Sequence, residues 1–257
     1  MPTLSNNEIE AAIEAGQLIL NADAEMVEAA SYQLRMGNVY YDLSEDAKRI
    51  QLKPGQRVLI KPGHRVVLIT AERLLIPDDI IVRVISKGAL FSIGLSPVAT
   101  YADPGFQGNL GLVTMNIGDK YIELPPGEPI AKAEFSKLLS PSTKPYVGQH
   151  GFQAGIWPLK DHLQKEYNEV KGDERVSVEK EEAFALLPQA TRTVIRDLEF
   201  FRICTIIGLG VAIAINATAL FLAGTGLMSN FSAVLVNLIS TVLISLFLTL
   251  VNRIKEK

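Results

Sequence analysis

The chain has 257 residues, 48% of them hydrophobic, and a formal net charge of −3. That size admits one large domain, or a medium domain joined to something apolar, and the charge excludes a protein that grips nucleic acid through a basic face. The single cysteine, Cys204, excludes an internal disulfide and reads as a small apolar filler.

At the N-terminus, LSNNEIEAAIEAGQLIL sets Ser5 as a cap ahead of Ile9 and Ile13, with Gly16 as an end signal, which predicts a short amphipathic helix. This opening stretch is polar and acidic, so no secretory leader is expected. From Tyr32 to Phe135 the texture changes to short apolar or alternating runs, RVLI, RVVLIT, DIIVRVI, NLGLVTMN and PIAKAEF, broken by PG, PDD, DPG and PPG. The rhythm predicts a mainly β domain, a compact barrel or jelly roll. No helix-length segments separate the runs, which argues against an α/β sheet. His64, His150 and His162 fall in loops without metal-ligand spacing, and no role is assigned to them.

Residues 159–200 are charged and helical in pattern, with breaks at KGDER and Pro188, and read either as a solvated connector or as a partner-binding helix. From Ile203 to Thr225 and from Phe231 to Val251 there is no Asp, Glu, Lys or Arg. Each run reaches the roughly 20 residues that cross a bilayer as helix, predicting a two-helix transmembrane hairpin. Arg202, Arg253, Lys255 and Lys257 against Glu256 give residues 201–257 a net +3, leaving about −6 on the rest. Arg192, Arg196 and Arg202 precede the first span and Arg253, Lys255 and Lys257 follow the second, while the loop GTGLMSN has no charge. That places the hairpin in the cell membrane with both termini cytoplasmic. Asn237, Thr241, Ser245 and Thr249 recur at steps of four in the second span, and Asn216 sits near the middle of the first. Such a polar face packs helices or lines a water-filled path.

In order along the chain, six further segments carry a likeness. ASYQLRMGN is similar to ASYDLRLGN, ERLLIPDDIIVRV to LERVTLPDDLVGRL, and SKGALFSIGL stands in the place of GRSSLARLGL. ATYADPGFQGNLGL matches TAxxIDPGFEGxLTL, PGEPIAKAEF matches PGMKIGQLxF, and YVGQHGFQAG resembles a closing YxGQxGPxxS. These motifs, with the N-terminal helix, resemble the dCTP deaminase branch of the trimeric dUTPase superfamily over about residues 3–158. The resemblance implies a homotrimeric β-barrel with sites between subunits that bind pyrimidine deoxynucleoside triphosphates with Mg²⁺. It also implies deamination without zinc, by a glutamate that activates water with serine and arginine support.

On the family pattern, the glutamate of the TLEL strand falls on Val113, the serine of RSSLAR on Gly88, its arginine on Ser92 and the leading arginine on Lys87. None of the first three can take over its counterpart's chemistry, so no catalytic residue is assigned. Hydrolysis of dUTP would use Asp103, but the first motif offers Mg²⁺ the neutral Gln33 unless Asp42 serves. The resemblance implies a nucleotide pocket lined by Lys87, Ala99, Asp103, Lys132, Tyr146 and Gln149, helped by Gly105, Gly108 and Asn116. Asp103 reads equally as ligand contact or turn cap.

The expected organisation is a nucleotide domain over 1–158, a connector over 159–200, and spans over 201–257. Three functions fit. One is a nucleotide sensor without catalysis that drives a membrane effector, by domain-level analogy in bacterial antiviral defence. Another is a membrane-anchored dCTP deaminase or dUTP diphosphatase, and the third is a ligand-free trimerisation scaffold. The implied partners are a nucleotide, the lipid bilayer and further copies of the chain.

Overall fold

The computed structural model describes residues 2–148, 157, 159 and 161–255. The chain forms two compact units, residues 1–161 and 162–257.

The first unit opens with α1 (Asn6–Glu14). The backbone N–H and hydroxyl of Ser5 both donate to the Glu8 carboxylate, at 2.8 and 2.9 Å, which holds the Glu8 carboxyl below its ordinary range. Gly16, at φ 73°, ends the turn, and Ile9 is fully buried. Eleven strands follow: β1 (Leu18–Ile19), β2 (Val27–Glu28), β3 (Ser31–Asp42), β4 (Lys48–Gln51), β5 (Val58–Ile60), β6 (Arg65–Leu75), β7 (Ile80–Ser86), β8 (Ala99–Ala102), β9 (Gln107–Met115), β10 (Ile122–Leu124) and β11 (Pro129–Lys137). A short helix, α2 (Gly88–Ser92), joins β7 to β8.

Nine strands make one antiparallel sheet in the order β1-β6-β3-β11-β7-β8, with β9 on β6 and with β2 and β4 on β3, while β5 pairs with β10. The sheet curls into a half-barrel over an apolar core that includes Leu34, Met36, Leu68, Val82, Val84, Leu110, Leu112, Ile130 and Phe135. Strand β9 follows the alternation that a half-buried strand requires: Gly108, Leu110, Leu112 and Thr114 point in, and Asn109, Gly111, Val113 and Met115 point out.

A bulge in β6 between Ile69 and Arg73 shifts the register against β9. Glu72 is fully buried there. Its carboxylate accepts the Arg35 backbone N–H at 2.8 Å and Arg35 Nε at 2.7 Å, and Arg35 Nη1 reaches Asp23 at 2.7 Å. The Glu72 hydrogen bond raises the Arg35 guanidinium above its ordinary value. Asn109 Nδ2 donates to the carbonyls of Thr70 and Glu72, at 2.9 and 3.1 Å, which closes the bulge.

The second unit holds α3 (Tyr167–Val170), α4 (Glu179–Ala185), α5 (Gln189–Gly224) and α6 (Asn230–Lys255). α5 starts directly after Pro188 and runs for 36 residues, about 54 Å, so its charged beginning and its apolar part are one helix. α4 packs on that beginning through the Arg196 guanidinium, 5.4 Å above the Phe184 ring, and a Lys180–Glu199 pair at 3.2 Å. α5 and α6 are both long and apolar enough to cross a membrane. They meet through small residues, with Ala219, Ala233 and Ser240 buried and Gly208 facing Ile244. Ser240 Oγ donates to Asn216 Oδ1 across the pair at 3.2 Å.

Removing the Glu72 carboxylate leaves the Arg35 charge without its buried partner. Glu72→Ala is expected to destabilise the first unit by about 3–5 kcal/mol, read from the shift of the urea midpoint against the unchanged chain.

Candidate nucleotide site

Two of the lysines singled out from the sequence are brought together by strand pairing. Lys132 on β11 stands opposite Gln33 on β3 and Ile85 on β7. Lys87 follows β7, and its backbone N–H donates to the Ile130 carbonyl at 3.2 Å. Lys87 Nζ donates to Gln33 Oε1 at 2.5 Å, and Lys132 Nζ pairs with Glu28 on β2. The Lys132 hydrogen bond, with the charges of Lys132 and Lys87, holds the Glu28 carboxyl below its ordinary value. Two cations, one amide and one carboxylate thus share a patch across β2, β3 and β11, suited to an anion that displaces Glu28.

A second group forms around the DPG turn. Gly105, at φ 86°, has no room for a side chain, since a Cβ there would lie 2.8 Å from Pro145 Cβ. The Tyr146 backbone N–H donates to the Pro104 carbonyl at 2.7 Å, and the Tyr146 ring packs on Phe106 at 5.6 Å. Gln17, Ile76, Asp78, Gly105, Gln107 and Tyr146 line a cavity of about 480 Å³ beside the turn. Asp103 is exposed, and its carboxylate makes no hydrogen bond or ion pair among the described residues. Ala99 is exposed at the start of β8. Gln149 and His150 lie outside the described residues.

Gly88, Ser92 and Val113, which the sequence motifs set against the family's reactive groups, are all exposed. Gly88 opens α2, and the Ser92 hydroxyl donates to the Ala89 carbonyl at 2.7 Å within it. Val113 faces outward, 46% exposed, directly across from Val67. Asn116 is buried and committed to the backbone: Nδ2 donates to the Ile60 and Lys120 carbonyls, and Oδ1 accepts the Gly118 N–H.

Gln33 does not fit a protein-held Mg²⁺, because its amide oxygen is taken by the Lys87 ammonium. Among the described residues, metal donors converge at Asp42, Glu45 and His64. There His64 Nδ1 and Asp42 Oδ2 lie 2.9 Å apart and Lys61 pairs with Glu45. His162 lies exposed in a short 3₁₀ turn.

In the second unit, Thr241 and Thr249 donate to the carbonyls of Asn237 and Ser245, both at 2.8 Å. These hydroxyls therefore turn back on their own helix. Asn237 Oδ1 is buried without a hydrogen-bond partner among the described residues.

Residues 3–138 match the family model described as dCTP deaminase-like, and the chain belongs to that family. A dCTP deaminase, dUMP-forming, of Clavibacter michiganensis subsp. michiganensis is 31% identical over 182 residues, 62% of this chain and 90% of that protein. Among solved structures, 2′-deoxycytidine 5′-triphosphate deaminase from Agrobacterium tumefaciens covers 52% of this chain and 47% of its own, at 17% identity and a TM-score of 0.45. A mutant dUTPase from phage phi11 of S. aureus, described with a structural Mg(II) ion, covers 47% and 84%, at 15% identity and a TM-score of 0.33. The first unit is thus a dCTP deaminase-like domain.

Two contacts escaped the sequence reading. Glu28 lies two residues ahead of the ASYQL segment, where a carboxylate three residues ahead of a strand was the available signal for a partner to Lys132. Trp157, which packs on Gly111 and Tyr41, was signalled by being the one tryptophan in the chain.

Because the Glu28 carboxyl is held low when folded, its contribution is present above the ordinary value of 4.5 and is lost as pH falls through the lowered one. Glu28→Gln is expected to remove that acid-side loss, an effect of no more than about 1 kcal/mol for a half-exposed pair. Thermal melts at pH 7 and pH 3.5 on both chains measure it.

Proposed function

We propose that this chain is a membrane effector whose family-type domain binds a nucleotide without converting it and passes the bound state to its two apolar helices. The observation that carries the reading is the set Val113, Gly88 and Ser92, which stand where the family has its glutamate, serine and arginine. A missing general base alone costs roughly 100- to 10,000-fold in rate, and here hydroxyl and guanidinium are gone too. Binding needs less. Lys87 keeps a cation, Asp103 a carboxylate, and Tyr146 and Gln149 a closing segment in family positions, Ala99 matches as well, and Lys132 adds a cation where the family has glutamine.

The remaining features agree with this reading. Phe91, Ile93, Tyr101, Val113 and Ile117 are exposed apolar residues on the first unit, as surfaces between copies in a homotrimer would be. The proposed division is a nucleotide domain over 1–158, a connector over 159–200 and spans over 201–257, with both termini cytoplasmic by the placement of arginine and lysine. α5 is unbroken from Gln189 into the apolar run, which favours mechanical transmission along it. A triphosphate ligand would bring its own Mg²⁺. A role in bacterial antiviral defence is proposed by analogy with other sensor and membrane-module fusions.

The likeness to dCTP deaminases favours a second reading, a membrane-anchored dCTP deaminase or dUTP diphosphatase. A third is a ligand-free trimerisation scaffold. For the sensor reading, the full chain is screened by thermal shift against nucleotides and then tested in dye-loaded liposomes. A ligand at 100 times its Kd is expected to stabilise by about 2.7 kcal/mol and to change dye leakage. Absence of any shift supports the scaffold, and binding that never alters leakage counts against the effector.

A further inference from the structure

The outer face of the sheet at β3, β6 and β9 is apolar, although one face of an antiparallel sheet commonly meets water. Val39, Tyr41, Val67 and Ile69 are buried there in a cluster apart from the main core, with Leu43 and Trp157 packed against it. The indole lies on Gly111: a Cβ at that glycine would stand 2.4 Å from two indole carbons and 2.9 Å from Val67 Cγ1. Gly111 has no left-handed backbone angle to explain its presence, so what it provides is space, and a mid-strand glycine marks a close approach. The Tyr41 ring flanks the indole at 6.0 Å and 47°. Val113 is the next outward residue on β9, across from Val67. Beneath the indole a polar group is left over: Tyr41 is fully buried, and its hydroxyl has no hydrogen-bond partner among the described residues. A heteroaromatic ring with donors and acceptors along its edge would satisfy that hydroxyl, whereas an indole brings a single donor.

We propose that Gly111, Val67 and Tyr41 form a seat for a planar heteroaromatic ring beside position 113, and that Trp157 fills it in the ligand-free chain. Ring ligand and indole exclude one another. The identity of the ring as a nucleobase rests on the nucleotide reading above, and the seat itself does not.

Trp157 is the one tryptophan in the chain, so intrinsic emission of the full chain in detergent reports it alone. Blue-shifted emission protected from acrylamide is expected, and Gly111→Ala should shift it to the red and raise quenching several-fold. Red, freely quenched emission from the unchanged chain overturns the seat. Trp157→Ala, or Trp157→Leu if the alanine chain does not fold, should gain thermal stability from millimolar indole while the unchanged chain does not. No gain overturns the seat as a ring site. Finally, dCTP and dUTP are titrated into the unchanged chain. A red shift that tracks their thermal-shift binding is expected, and binding that leaves the emission unmoved overturns the exclusion. If indole binds the variant while neither nucleotide binds any chain, the nucleotide reading falls and the ring seat stands.

Discussion

Antiparallel pairing with β6 determines which side chains of β9 face out, and those are Asn109, Gly111, Val113 and Met115. Asn109 is spent on the carbonyls of the β6 bulge, and the other three have no group that accepts a proton at neutral pH. A one-residue change of register would bring Leu110 and Leu112 to this face and send Asn109 and Gly111 into the core, so the burial of Leu110 and Leu112 holds the outward set in place. What that face can do is limited to apolar contact and stacking.

Lys87 rests on the neutral Gln33 amide and Lys132 on the Glu28 carboxylate, so one of the two cations has a charged partner and the other has only an amide oxygen. The DPG turn is clamped by Pro145 and Tyr146, so Asp103 is presented from a rigid corner. Deeper in, the Arg35–Glu72 pair fixes the bulge from which β6 resumes its pairing with β9.

Much of this was legible in residues close together in the chain. Ser5 with Glu8, Gly16, the alternating runs and the two uncharged apolar stretches each declare themselves within a few positions, because helix caps, pleats and bilayer spans are local in their physics. Long-range partners were not. Glu72 in ITAERLL reads as an outward strand residue until the bulge turns it toward Arg35, 37 positions away. Pro188 marked a break, but the continuity of residues 189–200 with the apolar run in one helix was hidden, because the two differ in charge with no helix breaker between them. In α6 the step-of-four positions caught the eye, yet the hydroxyl that reaches α5 is that of Ser240, off that series, since threonine hydroxyls in helices bond back to their own carbonyls. Of the site, the motif positions were readable, but the pairings Lys87–Gln33 and Lys132–Glu28 and the seating of Trp157 on Gly111 exist only once distant strands meet.

The central claim is that a pocket of deaminase ancestry recognises its ligand and leaves it chemically intact. The most direct measurement is product analysis of dCTP and dUTP incubated with the purified full chain and Mg²⁺, with the protein at substrate-like concentration. Unchanged nucleotide after many hours is the expected result. Conversion at the ordinary enzymatic pace of about 1–1,000 turnovers per second would contradict the account.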